Sequence, residues 1–180
     1  MLEEKELIDI CLKHGAFKAH MISVDNISFD ERLRDYCEVN QCGYYGKNHA
    51  CPPHVGGTKD VIEEAKSYNK ALVYQTIGNL TDSFDYDGMK NSIKRHSEVS
   101  DKIDKKVTLY FEKHLDLRAG PCKICEECSV IDNDPCKYPD KKRASLEAYC
   151  INVSSLAKEC NMDYIHGKNT VTYFGAFLLK

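Results

Sequence analysis

Apolar residues recur at helical spacing in four stretches of the chain. The first predicted helix covers residues 2–13 and ends at Gly15. The others cover residues 59–68, about 86–115, and 145–160. In the longest, the residues of one face are spaced alternately by four and three. These are Met89, Ile93, His96, Ser100, Ile103, Val107, Tyr110 and His114.

Three other segments have the composition of extended chain. Residues 20–29 carry apolar side chains on both sides of a turn at Asp25-Asn26. Residues 71–77 are mostly apolar, which predicts a buried strand that Gly78 closes. Val171 to Leu179 predicts a final buried strand. The order of elements predicts an α/β fold: a small mixed sheet with helices packed on it, in one domain over residues 1–180.

Two glycine- and proline-rich segments interrupt this pattern, and both are rich in cysteine. The segments cover residues 37–57 and 118–140, and we predict them to be irregular loops. The first holds Cys37, Cys42 and Cys51, and the second holds Cys122, Cys125, Cys128 and Cys136. Three further cysteines stand alone in predicted helices, where we expect them to be small core residues. These are Cys11, Cys150 and Cys160.

Charge and composition narrow the class of protein. The net charge is −3, with 42% hydrophobic and 29% charged residues, which is typical of a soluble globular protein. A nucleic-acid binder is usually basic, so we expect no nucleic-acid partner. No apolar run reaches the length of a membrane span, and the acidic start is not a signal peptide, so we expect a cytoplasmic protein. Thiols stay reduced there, which favours metal ligands, redox groups or core residues over disulfides.

The second cysteine group has the stronger metal-binding spacing. Cys122, Cys125 and Cys128 follow C-x2-C-x2-C, and Cys136 comes after seven more residues. Closely spaced thiolates with one more distant partner can surround a cubane, as in the ferredoxin run, so we predict one [4Fe–4S] cluster here. Structural zinc more often takes two separated C-x2-C pairs, and zinc is the main alternative. The third interpretation is that these four cysteines are ordinary core residues. The polar residues around them make this interpretation less favourable.

The spacing of the first cysteine group is less specific for one kind of metal site. Cys37, Cys42 and Cys51 follow C-x4-C-x8-C and could hold a second cluster, with an open iron or a fourth protein ligand. They could equally form a Cys3His zinc site with His49 or His54, or bind no metal. One of the lone cysteines could also supply the fourth ligand.

Together these segments make the chain resemble the family called domain of unknown function 2284, described as predicted metal-binding proteins. The resemblance covers most of the chain after about residue 18, through the two cysteine loops, residues 143–153 and the closing strand. The matching segments include Cys51-Pro-Pro, Gly120-Pro-Cys122, and Pro135-Cys136-x2-Pro139. Two residues depart from the family pattern: Leu146 replaces the usual Met, and Cys150 replaces the usual Gly. The family has no assigned reaction, so the resemblance implies metal binding and no mechanism.

Three functions fit these observations. The leading hypothesis is electron transfer between a cluster at each cysteine loop and a redox partner protein. The second is an enzyme in which a three-cysteine cluster with an open iron acts on a small-molecule substrate or in sulfur chemistry. The third is a zinc-stabilised binding module without a redox role.

For several charged residues and histidines outside the loops, the sequence favours a structural role over a functional one. Arg143 and Glu147 are one turn apart on a predicted helix, which favours an ion pair, although Arg143 could instead face the thiolates or an anionic substrate. His96 and His114 would lie about 27 Å apart on the long helix and could not share a metal. We expect both to be packed or surface residues.

Overall fold

The computed structural model describes residues 3–180. Over these residues five α-helices and five strands form around one sheet. The helices are α1 (Glu4–Lys13), α2 (Leu33–Glu38), α3 (Thr58–Lys66), α4 (Tyr86–Val107) and α5 (Val153–Glu159). The strands are β1 (Lys18–Ser23), β2 (Lys70–Asn79), β3 (His114–Arg118), β4 (Ala144–Ser145) and β5 (Thr170–Leu179). The predicted α/β fold with a small mixed sheet is confirmed.

The sheet has the strand order β1-β2-β5-β3-β4. Its centre is the antiparallel pair β2 and β5, in which Lys70 lies opposite Leu179 and Asn79 lies opposite Thr170. β3 is antiparallel to β5, and the short β4 pairs with β3 in parallel, which makes the sheet mixed. β3 ends at Arg118, so the second cysteine loop leaves directly from an ordered strand.

Successive residues of β2 point into two separate cores, as the alternation of a strand requires. Leu72 and Tyr74 pack with residues of α1 and α4, including Ile103. Ala71 and Val73 pack on the opposite face with residues of α3 and α5. Ala50 of the first cysteine loop is fully buried in this second core, and Cys122 packs against the same core. Both cysteine loops are therefore attached to the sheet face that α3 and α5 cover.

The predicted ends of the helices and strands need three corrections, of which the first concerns the long helix. α4 ends at Val107 instead of near Leu115, and Tyr110 is exposed. The four-and-three spacing continues past the helix end, but His114 already belongs to β3. His96 and His114 therefore do not share a helix, and the 27 Å separation predicted from one is wrong.

The second correction concerns Gly78, which does not close its strand. It lies inside β2, opposite Val171 of β5. A Cβ at this position would overlap the hydroxyl of Ser92 on α4. Glycine is therefore required here because α4 approaches the sheet backbone closely.

The third correction concerns residues 145–160, which are not one helix. β4 ends at Ser145, a single 3₁₀ turn follows at Glu147–Tyr149, and α5 begins only at Val153. Between them Cys150 adopts the left-handed conformation, with φ of 58°. That conformation is favourable for glycine and unfavourable for most other residues, which explains the glycine usual in the family and ends the helical periodicity.

Arg143 is not part of a helical ion pair with Glu147, contrary to the prediction. It precedes β4, where its Nε lies 2.7 Å from Asp116 and its Nη2 lies 2.8 Å from Asp104. Asp116 is buried in β3 and also accepts hydrogen bonds from Arg118 at 2.8–3.1 Å. Burial raises the pKa of Asp116, and the two guanidinium groups oppose this by stabilising its charge. This network joins β3, α4 and the segment before β4.

No helix within residues 3–180 combines the length and apolar character needed to traverse a bilayer. The predicted first residue of the N-terminal helix, residue 2, lies outside the described part of the chain. From residue 4 onward that helix is confirmed, and residues 14–16 turn tightly into β1.

Candidate metal centre

The second cysteine loop is closed by its own hydrogen bonds. Cys128 precedes a 3₁₀ turn at Ser129–Asp132, and the next residue, Asn133, adopts the left-handed conformation with φ of 58°. The hydroxyl of Ser129 then donates to the carbonyl of Pro135 at 2.7 Å. This return of the chain brings Cys136 back towards the other cysteines.

All four cysteines of this loop line one small cavity of about 20 Å³. They are partly buried, and residues from both loops complete the wall. The wall includes Asn48, His49, Ile124, Tyr138 and Lys142. The structure thus brings together Cys122, Cys125, Cys128 and Cys136.

The first loop starts on α2, a short helix that the sequence analysis missed. Cys37 lies on α2, and the chain then turns through Asn40 and Gly43, both with positive φ. The amide of Gly46 donates to the carbonyl of Pro52 at 2.9 Å and closes the loop. Cys37 and Cys51 are partly buried, whereas Cys42 is exposed.

Direct hydrogen bonds join the two loops. The side-chain amide of Asn48 donates to the carbonyl of Cys122 at 2.8 Å, and Asn48 is itself buried. The backbone N–H of His49 donates to the sulfur of Cys128 at 3.4 Å. The Nε2 atom of His49 lies 2.9 Å from the carbonyl of Asp134, where it donates. The two cysteine groups therefore form one continuous structure.

The thiol of Cys51, in the first group, is affected by sulfurs of both groups. Burial and, to a smaller extent, charge on the sulfurs of Cys42 and Cys37 raise its pKa to about 12. The sulfurs of Cys122 and Cys128 act on it in the same direction. Thiolates so close together need a compensating cation, because like charges in a partly buried site oppose ionisation. A bound metal supplies that charge and deprotonates the thiols.

Arg34 places a buried positive charge beside the first group. Its side chain is on α2, the residue is 8% exposed, and Nη2 donates to the carbonyl of Gly56 at 3.2 Å. Its Nε has no hydrogen-bond partner, and no carboxylate within residues 3–180 forms an ion pair with it. Burial raises the pKa of Cys37, and the charge of Arg34 lowers it. A buried cation without an anion is costly, so this position favours an anionic group.

Cys150 is one of the three lone cysteines that the sequence predicts to be core residues, with a fourth ligand as the alternative. It is fully buried, as predicted for a core residue, but its thiol is close enough to affect the ionisation of Cys37. Burial raises the pKa of Cys150, and Arg34 lowers it.

The remaining candidate ligands are engaged elsewhere or stand apart. Cys11 and Cys160 are buried core residues, and burial raises the pKa of each thiol to about 12. His49 uses Nε2 for the second loop, and the exposed His54 packs edge-on against the His49 ring at 6.0 Å. Within residues 3–180, no three His, Cys, Asp or Glu side chains are arranged to hold a single metal ion.

Comparison with known proteins gives one match. The family model described as predicted metal-binding protein (DUF2284) matches residues 20–179, which is most of the chain. No curated protein and no solved structure matches the sequence. The matched segment contains both cysteine loops, the 143–153 segment and the closing strand. The chain therefore belongs to the DUF2284 family of predicted metal-binding proteins.

Proposed function

We propose that the chain is an iron–sulfur protein that binds a [4Fe–4S] cluster through Cys122, Cys125, Cys128 and Cys136. The observation that carries this proposal is the single cavity that all four thiols line. The N–H···S hydrogen bond from His49 supports it, since hydrogen bonds to cluster sulfurs set the potential of such centres. The cavity of about 20 Å³ has room for one water molecule, so the four side chains must move outward to admit a cluster.

The spacing of the cysteines along the sequence favours a cluster over zinc. Cys122, Cys125 and Cys128 form one consecutive run, and Cys136 follows after seven more residues. A run of this kind can surround a cubane, whereas structural zinc more often takes two separated C-x2-C pairs. All four cysteines line one cavity, so together they can bind a single cluster.

A second cluster bound by Cys37, Cys42 and Cys51 accounts for the unpaired charge of Arg34. An iron–sulfur cluster with thiolate ligands is anionic, and Arg34 is a buried cation that lacks a carboxylate partner. We assign the fourth ligand position to Cys150, because the turn at Glu147–Tyr149 that precedes it contacts α2, the helix that carries Cys37, and the backbone N–H of Asp30 donates to the carbonyl of Cys150 at 2.7 Å. His49 is a weaker candidate since its Nε2 bonds to Asp134.

Two fully ligated clusters in adjoining loops point to electron transfer as the function. The loops touch through Asn48 and His49, which brings the two centres close together. Large apolar side chains in and beside the loops are exposed, a feature of protein interaction sites. They are Tyr36, Val39, Tyr44, Ile124, Ile131 and Tyr138. This loop surface fits a redox partner protein.

A second candidate function is an enzyme, and the exposure of Cys42 favours it. If Cys150 does not coordinate, the first group has three thiols and one of them is open to solvent. An open iron there could bind a small molecule as a Lewis acid. A zinc-stabilised binding module is the third possibility, and it predicts a colourless protein.

Spectroscopy of anaerobically purified protein tests these proposals. We expect a brown protein with a broad visible absorption shoulder that bleaches on reduction with dithionite. Added cyanide should leave the spectrum of the reduced protein unchanged if both clusters are fully ligated. A cyanide-dependent change would instead support the enzyme, and a colourless protein containing zinc would contradict the iron–sulfur proposal.

A further inference from the structure

Besides the four-thiol cavity, Cys122 also lines a larger cavity of about 610 Å³. Its walls come from α4, from Arg118 at the end of β3, and from residues 119–124 at the start of the second cysteine loop. This volume is in the range of small-molecule binding sites. Neither the family description nor the proposed function assigns it a role.

The charged side chains that line this cavity are mostly cationic. They are Lys90, Lys94, Lys123, Lys141, Arg118 and Arg143. The one carboxylate in the lining is Asp101, and Arg118 already binds it at 2.6 Å. Arg143 is neutralised by Asp104 and Asp116.

The four lysines keep an uncompensated positive charge. None of them forms an ion pair with a carboxylate in the part of the chain that the structure describes. Lys90 and Lys94 are one turn apart on α4, so both amines project from the same helix face. Lys123 lies on the cysteine loop, across the cavity from α4. Several unpaired amines around one cavity attract a ligand with more than one negative charge.

The lining also contains apolar side chains. Ile93 on α4, and Pro121 and Ile124 on the loop, provide hydrophobic contact between the charged positions. Such a mixture favours an organic anion over an inorganic one, because apolar lining binds carbon groups while a few polar groups fix orientation.

We propose that this cavity binds a small organic dianion, of the phosphate monoester or dicarboxylate type, next to Cys122. Cys122 lines both this cavity and the four-thiol cavity. A ligand bound here would therefore lie against a sulfur of the proposed cluster. The position beside a cluster rests on the proposed function, whereas the binding itself does not.

The test is calorimetric titration of the full chain with phenyl phosphate and, separately, with phthalate. Benzyl alcohol serves as the neutral ligand of similar size. We expect saturable binding of at least one dianion and none of the alcohol. Preference for one dianion over the other identifies a phosphate or a dicarboxylate as the natural group. Failure of both to bind at millimolar concentration, or equal binding of the alcohol, would overturn the proposal.

Variants locate the site. Lys94→Gln and Lys123→Gln should each weaken binding about fivefold, the effect of removing a partly exposed charge. Lys102→Gln is the matched control, because Lys102 is exposed on α4 but does not line the cavity. Equal losses in all three variants would indicate non-specific attraction and contradict the site. Metal content measured on the same samples separates the dianion site from the cluster. Dianion binding by a protein without iron would support the dianion site and refute the cluster.

Discussion

The backbone N–H of His49 donates a hydrogen bond to the sulfur of Cys128 at 3.4 Å, across seventy-nine positions of sequence. This bond makes the first cysteine loop part of the wall around the second cysteine group. Hydrogen bonds to thiolate sulfur stabilise the reduced, more negative state of an iron–sulfur cluster. The two loops therefore act as one unit, and a change in either should affect the other.

Cys125→Ser tests the ligand assignment of the second loop. The variant should lose about half of the iron, since one of two clusters loses a ligand, and the loop should become less stable because metal binding and folding are coupled. The matched control is Cys160→Ser, at a buried cysteine that lies in the α5 core, and it should keep its iron. Iron loss in the control with none in Cys125→Ser would refute the assignment.

Arg34→Gln tests the role of the buried charge. Removing a positive charge beside an anionic cluster makes reduction less favourable, so the reduction potential of one cluster should fall by about 60 mV, or about 1.4 kcal/mol for one electron. Redox titration followed by electron paramagnetic resonance measures this shift.

Arg32→Gln is the control for that experiment. Arg32 lies two positions away, but its side chain is exposed and paired with Asp30 at 2.8 Å. Its substitution should leave both potentials unchanged. Equal shifts in the two variants would indicate a general effect of net charge and would contradict a specific contact.

Cys150→Gly tests the fourth ligand of the first group. Glycine is suited to the left-handed backbone at this position, so the fold should tolerate the change. Loss of the thiol should leave one iron open, and the spectrum of the variant should then respond to cyanide while that of the unaltered protein does not. If the unaltered protein already responds and the variant matches it, Cys150 is not a ligand.

The buried His96 predicts a specific dependence of stability on pH. It is stacked on Tyr74 at 5.6 Å and hydrogen-bonded to Thr76 at 2.9 Å. Burial, with a smaller effect of the charge of Arg118, lowers its pKa from 6.5 to about 4. The folded state thus keeps His96 neutral while the unfolded state takes up a proton. Its contribution to stability is full above pH 6.5 and is lost as the pH falls towards 4.

Denaturant unfolding between pH 6.5 and pH 5 measures this effect. The free energy of unfolding should fall as the pH is lowered, with a slope from this group that rises from about 0.7 kcal/mol per pH unit at pH 6.5 towards about 1.4 at pH 5. His96→Gln should have a flatter pH dependence, whereas His20→Gln, at an exposed histidine, should keep the original slope. Identical slopes in both variants would show that His96 is not the titrating group.

The local sequence pattern was sufficient to predict the strands that are apolar along most of their length. β2 and β5 were predictable because most of their residues are buried, on both faces of the sheet. β3 was hidden because Asp116 and Arg118 pair with each other inside it, so its sequence reads as polar. Arg143 also lies 2.7 Å from Asp116, but it comes far along the chain, and no local pattern reveals its position.

The residues of the candidate site were likewise only partly predictable from the sequence. Close spacing alone indicated that Cys122, Cys125 and Cys128 belong together, and the structure places them around one cavity with Cys136. The proximity of Cys150 to Cys37 could not be predicted, since it results from the turn before α5 returning to α2. Arg34 resembled any other charged helix residue in the sequence, and only its burial marks it.

Iron and acid-labile sulfide, counted per chain in anaerobically purified protein together with zinc, test the central claim most directly. Two [4Fe–4S] clusters predict about eight iron and about eight sulfide atoms per chain, with negligible zinc. About four of each would retain the second loop's cluster and remove that of the first. One or two zinc atoms per chain without sulfide would contradict the iron–sulfur account.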